Sequence, residues 1–274
     1  MIQRLSTFIR LLIGLPFGFT NWYLAYGDVF KLLRFLKIQE IIYKTRSGER
    51  YYARPSQYDI GILSEVFVSH TYDPSDHYRI RKTDIVLDAG GYIGDFTLFA
   101  AARCLRGKVY VFEPIKENFD LLKRNITLNS AKNVVPFMNA LTGTSQKMSF
   151  YIQNDAYGAS SLYPSHQSNQ LSAIAVETIG INTFLRSEKI QKLDVIKLDC
   201  EGAEYDIIYQ LPQSVLKKVR VLMIEYHRVT SKNKTHTPEH LRMYLENHGF
   251  TTDMDSDTSQ FLGNLYCYKK VTPV

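Results

Sequence analysis

Five short stretches carry residue types suited to holding a ligand or moving a proton. They are Asp88-Ala89-Gly90-Gly91-Tyr92-Ile93-Gly94, Glu113-Pro114, Asn139-Ala140, Asp199-Cys200-Glu201-Gly202 and Glu225-Tyr226-His227. Glycines at 90, 91 and 94 let the backbone pass close to a ligand and enter a helix without a Cβ clash. Their spacing misses the G-x-G-x-x-G dinucleotide pattern, because Tyr92 stands where its second glycine belongs. A carboxylate such as Glu113 can accept a hydrogen bond from both hydroxyls of a ribose and would repel a 2′-phosphate. The lesser reading is that it merely complements the N-terminus of a helix opened by Pro114. Glu201 and Glu204, three apart, read as one face at a helix N-terminus. Asp199, Glu225 and His227 are candidate bases, and only the histidine has an ordinary pKa near neutrality. With Glu201 they are also residue types that ligate a divalent cation, but separate strands give no diagnostic spacing, so no metal site is assigned.

What positions these groups is an alternation, from Asp84 onward, of short apolar runs with helix-period stretches. That alternation is the mark of βαβ units and a parallel sheet. Ile85-Val86-Leu87 reads as a buried strand. Ile93, Phe96, Thr97, Ala100, Ala101 and Cys104 then recur on one helix face, closed by Gly107. Val109–Phe112 is a second strand, and Ile115, Phe119, Leu122 and Ile126 line a second helix. Further strands read at Val134–Met138, Asp194–Leu198 and Val219–Ile224, with a hairpin-like excursion at Met148–Ile152 and Ala173–Thr178. Thr237 as N-cap and Pro238 at the first position open a last helix, ended by Gly249. Phe250–Met254 and Leu265–Tyr268 close the sheet. The fold expected is a doubly wound, mostly parallel α/β sheet. Each of the five polar stretches then falls at the carboxyl end of a strand, where open α/β sheets bind ligands. One such end is ordinary; five along one edge make a site.

Four blocks carry a family resemblance: DIVLDAGGYIGDFTLFA (84–100), KVYVFEPIKEN (108–118), IKLDCEGAEY (196–205) and IEYHR (224–228). In that order they resemble the signature blocks of FkbM-family methyltransferases, the IKLDCEGAE stretch most specifically. Ser64-Glu65-Val66-Phe67 with Tyr72, and Gly158–Leu162, also resemble that family, which extends the likeness from about Tyr58 to Phe250. The resemblance implies a Rossmann-like class I methyltransferase fold with S-adenosylmethionine as cofactor. It implies that Asp88, Gly90 and Gly94 shape the methionine and ribose pocket, that Glu113 takes the ribose diol, and that Asn139-Ala140 sits against the adenine. The activity implied is O-methylation of a small-molecule or glycan acceptor. An alcohol is a poor nucleophile until a base takes its proton, so Asp199, with Glu225, His227 and Glu201 beside it, is the expected catalytic group. Two positions depart from the family pattern. Tyr92 replaces a common Asn, and Ile181-Asn182-Thr183 replaces an L-D-D-like stretch. A nucleic-acid methyltransferase would want clustered cations around the cleft, and a nicotinamide-binding protein would want the missing glycine fingerprint.

The chain has 274 residues, 45% of them hydrophobic, enough to bury a full core. The organisation expected is a methyltransferase domain over 83–274, preceded by a helical and irregular appendage over 1–82. That appendage includes a strand-like patch at Glu40–Thr45 and a turn at Ser47-Gly48. The 19 Tyr and 15 Phe imply either an aromatic core or a cleft for something flat or sugar-like. The net charge of +6 is scattered apart from Lys217, Lys218 and Arg220, which reads as a solvated face, and no nucleic-acid partner is expected. Cys104, Cys200 and Cys267 lie far apart, as in a reduced compartment, so the cytoplasm is the default location. The uncharged run Leu11–Tyr26 is broken by Gly14, Pro16, Gly18 and Asn21 and falls short of the ~20 apolar residues of a spanning helix. It reads as a retained helix, packed on the domain or making peripheral contact with a membrane surface, and less well as a signal sequence.

Overall fold

The computed structural model of the protein describes residues 18–22, 35–55, 57–145, 147–153, 156–161, 171–229, 234–254 and 262–270. Of the uncharged run Leu11–Tyr26 only 18–22 falls among them, so most of that expectation lies outside the described residues. Among the described residues no helix is long and apolar enough to cross a membrane.

The chain opens with an antiparallel pair, β1 (Ile41–Lys44) and β2 (Arg50–Ala53), turned through Gly48 at a φ of 112°. The helix α1 (Asp59–Phe67) follows, and then the first βαβ unit: β3 (Ile85–Ala89), α2 (Asp95–Arg103) and β4 (Lys108–Phe112). Next come α3 (Lys116–Leu128), β5 (Val134–Phe137) and the excursion, in which β6 (Ala140–Thr142), β7 (Lys147–Gln153), β8 (Ala156–Ser161) and β9 (Leu171–Gly180) form a four-stranded sheet in the order β6-β9-β7-β8. The chain returns through α4 (Ile181–Ser187), β10 (Val195–Leu198), α5 (Glu204–Gln210), α6 (Gln213–Leu216) and β11 (Val221–His227). It finishes with α7 (Pro238–Asn247), β12 (Thr251–Met254) and β13 (Leu262–Tyr268). The Thr237 side chain accepts from the His240 N–H at the start of α7, the cap its sequence called for.

The central sheet has seven strands in the order β12-β13-β11-β10-β3-β4-β5. All pairings from β11 to β5 are parallel, and β13 runs antiparallel between β11 and β12. This is the doubly wound α/β class expected from the alternation. Both faces are covered, which explains the unbroken apolar runs Ile85–Leu87 in β3 and Val109–Phe112 in β4. Val86, Val109 and Val111 point into one core, while Leu87, Tyr110 and Phe112, one residue out of phase, point into the other.

The described part of 1–82 shares the first of those cores. Phe19, Tyr43, Tyr51, Leu63 and Phe67 pack with Phe96, Phe99 and Leu122 of α2 and α3. Phe19 meets Phe67, Phe67 meets Phe99, and Tyr72 meets Phe96, at ring separations of 6.1, 6.0 and 4.9 Å. Much of the aromatic excess is therefore core. Among its described residues the segment holds the strand pair, α1 and a 3-10 turn at Asp76–Tyr78, and hydrogen bonds from Arg50 and Tyr52 to Asn129 and Asn125 tie it to α3.

Candidate active site

Register decides what arrives at the sheet's upper edge. Leu198 pairs with Ala89 on one side and with Ile224 on the other, so Asp199, Gly90 and Glu225 emerge side by side. The chain order reverses here, β4 and β5 lying on one side of β3 and β10 and β11 on the other, which opens a crevice. A cleft of 710 Å³ occupies it.

One end of the cleft is built by the glycine loop and Glu113. A Cβ on Gly90 would stand 1.8 Å from the Asp199 carbonyl oxygen, and φ there is +88°, so only glycine lets β3 and β10 close up. Tyr92 holds a left-handed φ of 45° without being glycine. Two bonds pin it: its N–H donates to Glu113 Oε2 at 2.9 Å, and its hydroxyl donates to Asp59 Oδ1 at 2.6 Å. Asp59 in turn accepts from Arg54 Nε at 3.0 Å, and Arg54 also donates to Asn118 Oδ1 at 3.0 Å. Glu113 Oε1 accepts from the Ile115 N–H at 2.8 Å, so the carboxylate does serve the helix start, as one of its two readings held. Each oxygen keeps acceptor capacity, and the residue lines the cleft. Burial pushes its pKa up to about 8, against the opposing pull of the Ile115 and Tyr92 N–H groups.

The other end is crowded with acid. Asp199, Glu201, Glu225 and Glu65 of α1 all line it. Burial, with Asp199 nearby, lifts Glu65 to about 7. Burial and the charges of Asp199 and Glu204 lift Glu201 to about 8, against the pull of His227. Glu225 rises to about 8 chiefly because Asp199 faces it, and then through burial. His227 lies behind them. Burial alone would depress its pKa, but Glu204, Glu201 and Asp199 carry it up to about 10. Among the described residues, donor atoms of Asp199, Glu201 and His227 lie within 4.8 Å of one another, close enough for one metal ion.

Lys197 joins the two ends. It is 2% exposed, in mid-strand, and its Nζ donates to the Gly90 carbonyl at 2.7 Å between Asp199 Oδ2 at 3.5 Å and Asp88 Oδ1 at 3.6 Å. Burial works against its charge, yet Tyr72 and the carboxylates of Asp199, Asp88 and Asp95 hold its pKa well above the usual value.

The structure thus brings Gly90, Glu113, Ala140, Asp199, Glu201 and Glu225 to one cleft. The remaining expected residues sit elsewhere, each for a physical reason. Asp88 is fully buried under the loop, accepting from Thr97 Oγ1 at 2.5 Å, and supports the site without lining it. Gly94, at φ +94°, caps α2 and packs near Leu122. Asn139 is half-buried and does not line the cleft; its Nδ2 donates to the Glu177 carbonyl at 3.4 Å, and Ala140 and Leu141 line that wall. Glu225 and His227 lie within β11, two apart and on one face, because β13 extends the pairing to His227↔Leu262. Glu201 precedes α5 at a φ of 58°, so it does not share a helix face with Glu204. Glu204 Oε1 accepts from the Cys200 and Gly202 N–H groups, both at 3.1 Å, and His227 Nδ1 lies 3.0 Å away. Sequence reasoning gave no role to Lys197, although a lysine inside Val-Ile-Lys-Leu is a signal, since a buried charge demands partners. It gave none to Asn264 either, and nothing in its surroundings pointed to the cleft.

The methyltransferase FkbM domain model matches residues 88–252, more than half of the chain. Methyltransferase sdnD of Sordaria araneosa is 25% identical over 193 residues, covering 60% of this chain and 73% of that protein. The hexuronic acid methyltransferase AglP of Haloferax volcanii is 24% identical over 147 residues, with coverage of 54% and 57%. Among solved structures, the methyltransferase FkbM of Methylobacillus flagellatus superposes with a TM-score of 0.49 at 14% identity, over 77% of this chain and 54% of that one. The chain therefore spans little more than half the length of the last two.

Proposed function

The chain belongs to the FkbM methyltransferase family, and from that premise we propose that it methylates a hydroxyl oxygen of a small-molecule or sugar-containing acceptor. S-adenosylmethionine, the family's methyl donor, supplies when bound a methyl group made electrophilic by a sulfonium. The residues present fit such a donor. The Gly90 backbone closes on Asp199 with no room for a side chain, Glu113 presents a buried carboxylate with acceptor capacity, and the adjoining wall is apolar at Phe112, Ala140 and Leu141. A cationic ligand would also relieve the acidic end, where carboxylates repel one another.

The observation that carries the oxygen assignment is the register placing Asp199 and Glu225 together at that edge. An alcohol must lose its proton as the new bond forms. In this reading Glu225 accepts that proton, and Asp199 opposite it sets the basicity, being the largest cause of its raised pKa. The acceptor oxygen's electron pair forms the bond to the methyl carbon, and the carbon–sulfur bond breaks with its pair left on sulfur. His227 is a buried prop for the carboxylates, and Lys197 holds Asp199 against the glycine loop. Support for a sugar-type acceptor comes from AglP, described as a hexuronic acid methyltransferase. The test is S-adenosylhomocysteine release with sugars, hydroxylated small molecules, amines and RNA as acceptors. Turnover confined to amines or RNA sinks the proposal.

A further inference from the structure

Propping the carboxylates does not account for how tightly one feature is built. The His227 side chain is 6% exposed, and its Nδ1 lies 3.0 Å from Glu204 Oε1. Glu204 is fully buried and bonded to two backbone N–H groups of the loop that carries Glu201. The ring is thus locked, and it is locked with Nε2 facing the cluster, 3.4 Å from Glu201 Oε2 and 4.0 Å from Glu225 Oε1. A histidine whose sole task was to neutralise charge would need neither the lock nor that aim.

We infer that Asp199, Glu201 and His227 Nε2 ligate one divalent cation, with Glu204 as the carboxylate that orients the histidine. Two ligands about 2.1 Å from one ion stand roughly 3 Å apart when adjacent and about 4.2 Å apart when opposite. The 3.4 Å between Nε2 and Glu201, and the 4.8 Å limit that encloses all three donors, need only small side-chain rotations to meet that geometry. Two carboxylates and a neutral imidazole carry a charge of about −2 and so balance the ion. A mixed oxygen and nitrogen set suits Mn²⁺ better than Ca²⁺. A histidine ligand held through its other nitrogen by a buried carboxylate is the usual outer-shell arrangement of metal sites. Three ligands leave an octahedral ion open positions on the cleft side, where an acceptor hydroxyl would be polarised beside Glu225. That consequence rests on the methyl-transfer reading; the cation site itself does not.

The rival occupant is a proton on Nε2, which would make the contact to Glu201 an ordinary ion pair. The experiment uses the full chain, stripped with a chelator, and titrates Mn²⁺ by calorimetry and by loss of the free-ion electron paramagnetic resonance signal. S-adenosylhomocysteine binding is measured separately on the metal-free protein. One Mn²⁺ per chain is expected, weakened at least tenfold in Asp199→Asn and roughly 10–100-fold in Glu204→Gln. Asp199 is partly exposed, so its variant should fold even if Glu204→Gln does not. No Mn²⁺ binding by wild type, or binding unchanged in Asp199→Asn, overturns the site. If S-adenosylhomocysteine then still binds, the methyltransferase reading stands alone; if Mn²⁺ binds and S-adenosylhomocysteine does not, that reading fails and the cation site stands.

Discussion

The two ends of the cleft treat charge in opposite ways. At the glycine-loop end, Glu113 is answered by the chain's own N–H groups and Asp88 by Thr97 and Lys197. At the other end Asp199, Glu201, Glu225 and Glu65 crowd one space, and burial together with the charge of Asp199 raises the pKa of each glutamate. A region that satisfies itself is preorganised, so a ligand meets donors and acceptors already in place. A region that leaves its carboxylates in conflict stores a free-energy cost that a cation or a proton from the substrate relieves. One end is built to hold, the other to react.

If that division is right, replacements at the acidic end should cost turnover and spare binding. Glu225→Gln should lower kcat by roughly 10²–10⁴ while S-adenosylhomocysteine affinity changes little, because the group acts in the transition state. Isothermal calorimetry with single-turnover kinetics separates the two; an equal loss in both would merge the ends into one. Lys197→Met attacks the joint between them. It strips a buried cation from Asp88 and Asp199 and should cost about 3–5 kcal/mol of folding stability in denaturant titrations. A loss under 1 kcal/mol would mean that the lysine is not what reconciles the two ends. Glu113→Ala removes charged hydrogen bonds at the holding end, worth about 1.5–3 kcal/mol. S-adenosylhomocysteine affinity should drop at least tenfold, with kcat on saturating donor nearly kept.

The smallest effect is in pH. Glu113, Glu201 and Glu225 have folded pKa values of about 8 against an ordinary 4.5, and His227 has about 10 against 6.5. Each is raised, so each contribution to stability is full below the ordinary value and fades as pH climbs through the folded one. The Tm of the ligand-free protein should therefore fall by a few degrees as pH rises from about 4.5 to about 10, with the glutamate part complete by about 8. In Glu225→Gln the fall should be shallower. A Tm that rises with pH would show that the acidic end is not in conflict.

The sequence made the holding end more legible than the reacting one. Glycines and a carboxylate after apolar runs are local signals, and β3, β4 and their helices were found where periodicity put them. Asp199 and Glu225 could be placed at strand ends for the same reason. Lys197 was hidden because a four-residue strand buried on both faces shows no alternation to expose an intruding charge. Glu65 reaches the cleft from α1, and no local pattern says that α1 packs against α2. Asn139 turns its amide to the Glu177 carbonyl of β9, a contact that lies 38 residues away in sequence and leaves no local signal. His227 looked like a free strand end until β13, distant in sequence, proved to pair with it.

That pairing has a consequence for the order in which the molecule is completed. Synthesis delivers the holding end first, since Glu113, Ala140 and the glycine loop all precede residue 142. The reacting end waits for β13, which enters the sheet between two strands already made, β11 and β12. Inserting a strand there demands that β12 and the outer edge of β11, whose other edge pairs with β10, stay open while the last stretch emerges, a long-range closure that is slow compared with local contacts. A nascent chain can therefore acquire its donor-binding half well before it acquires the means to react, and its most aggregation-prone moment is the wait for Leu262–Tyr268.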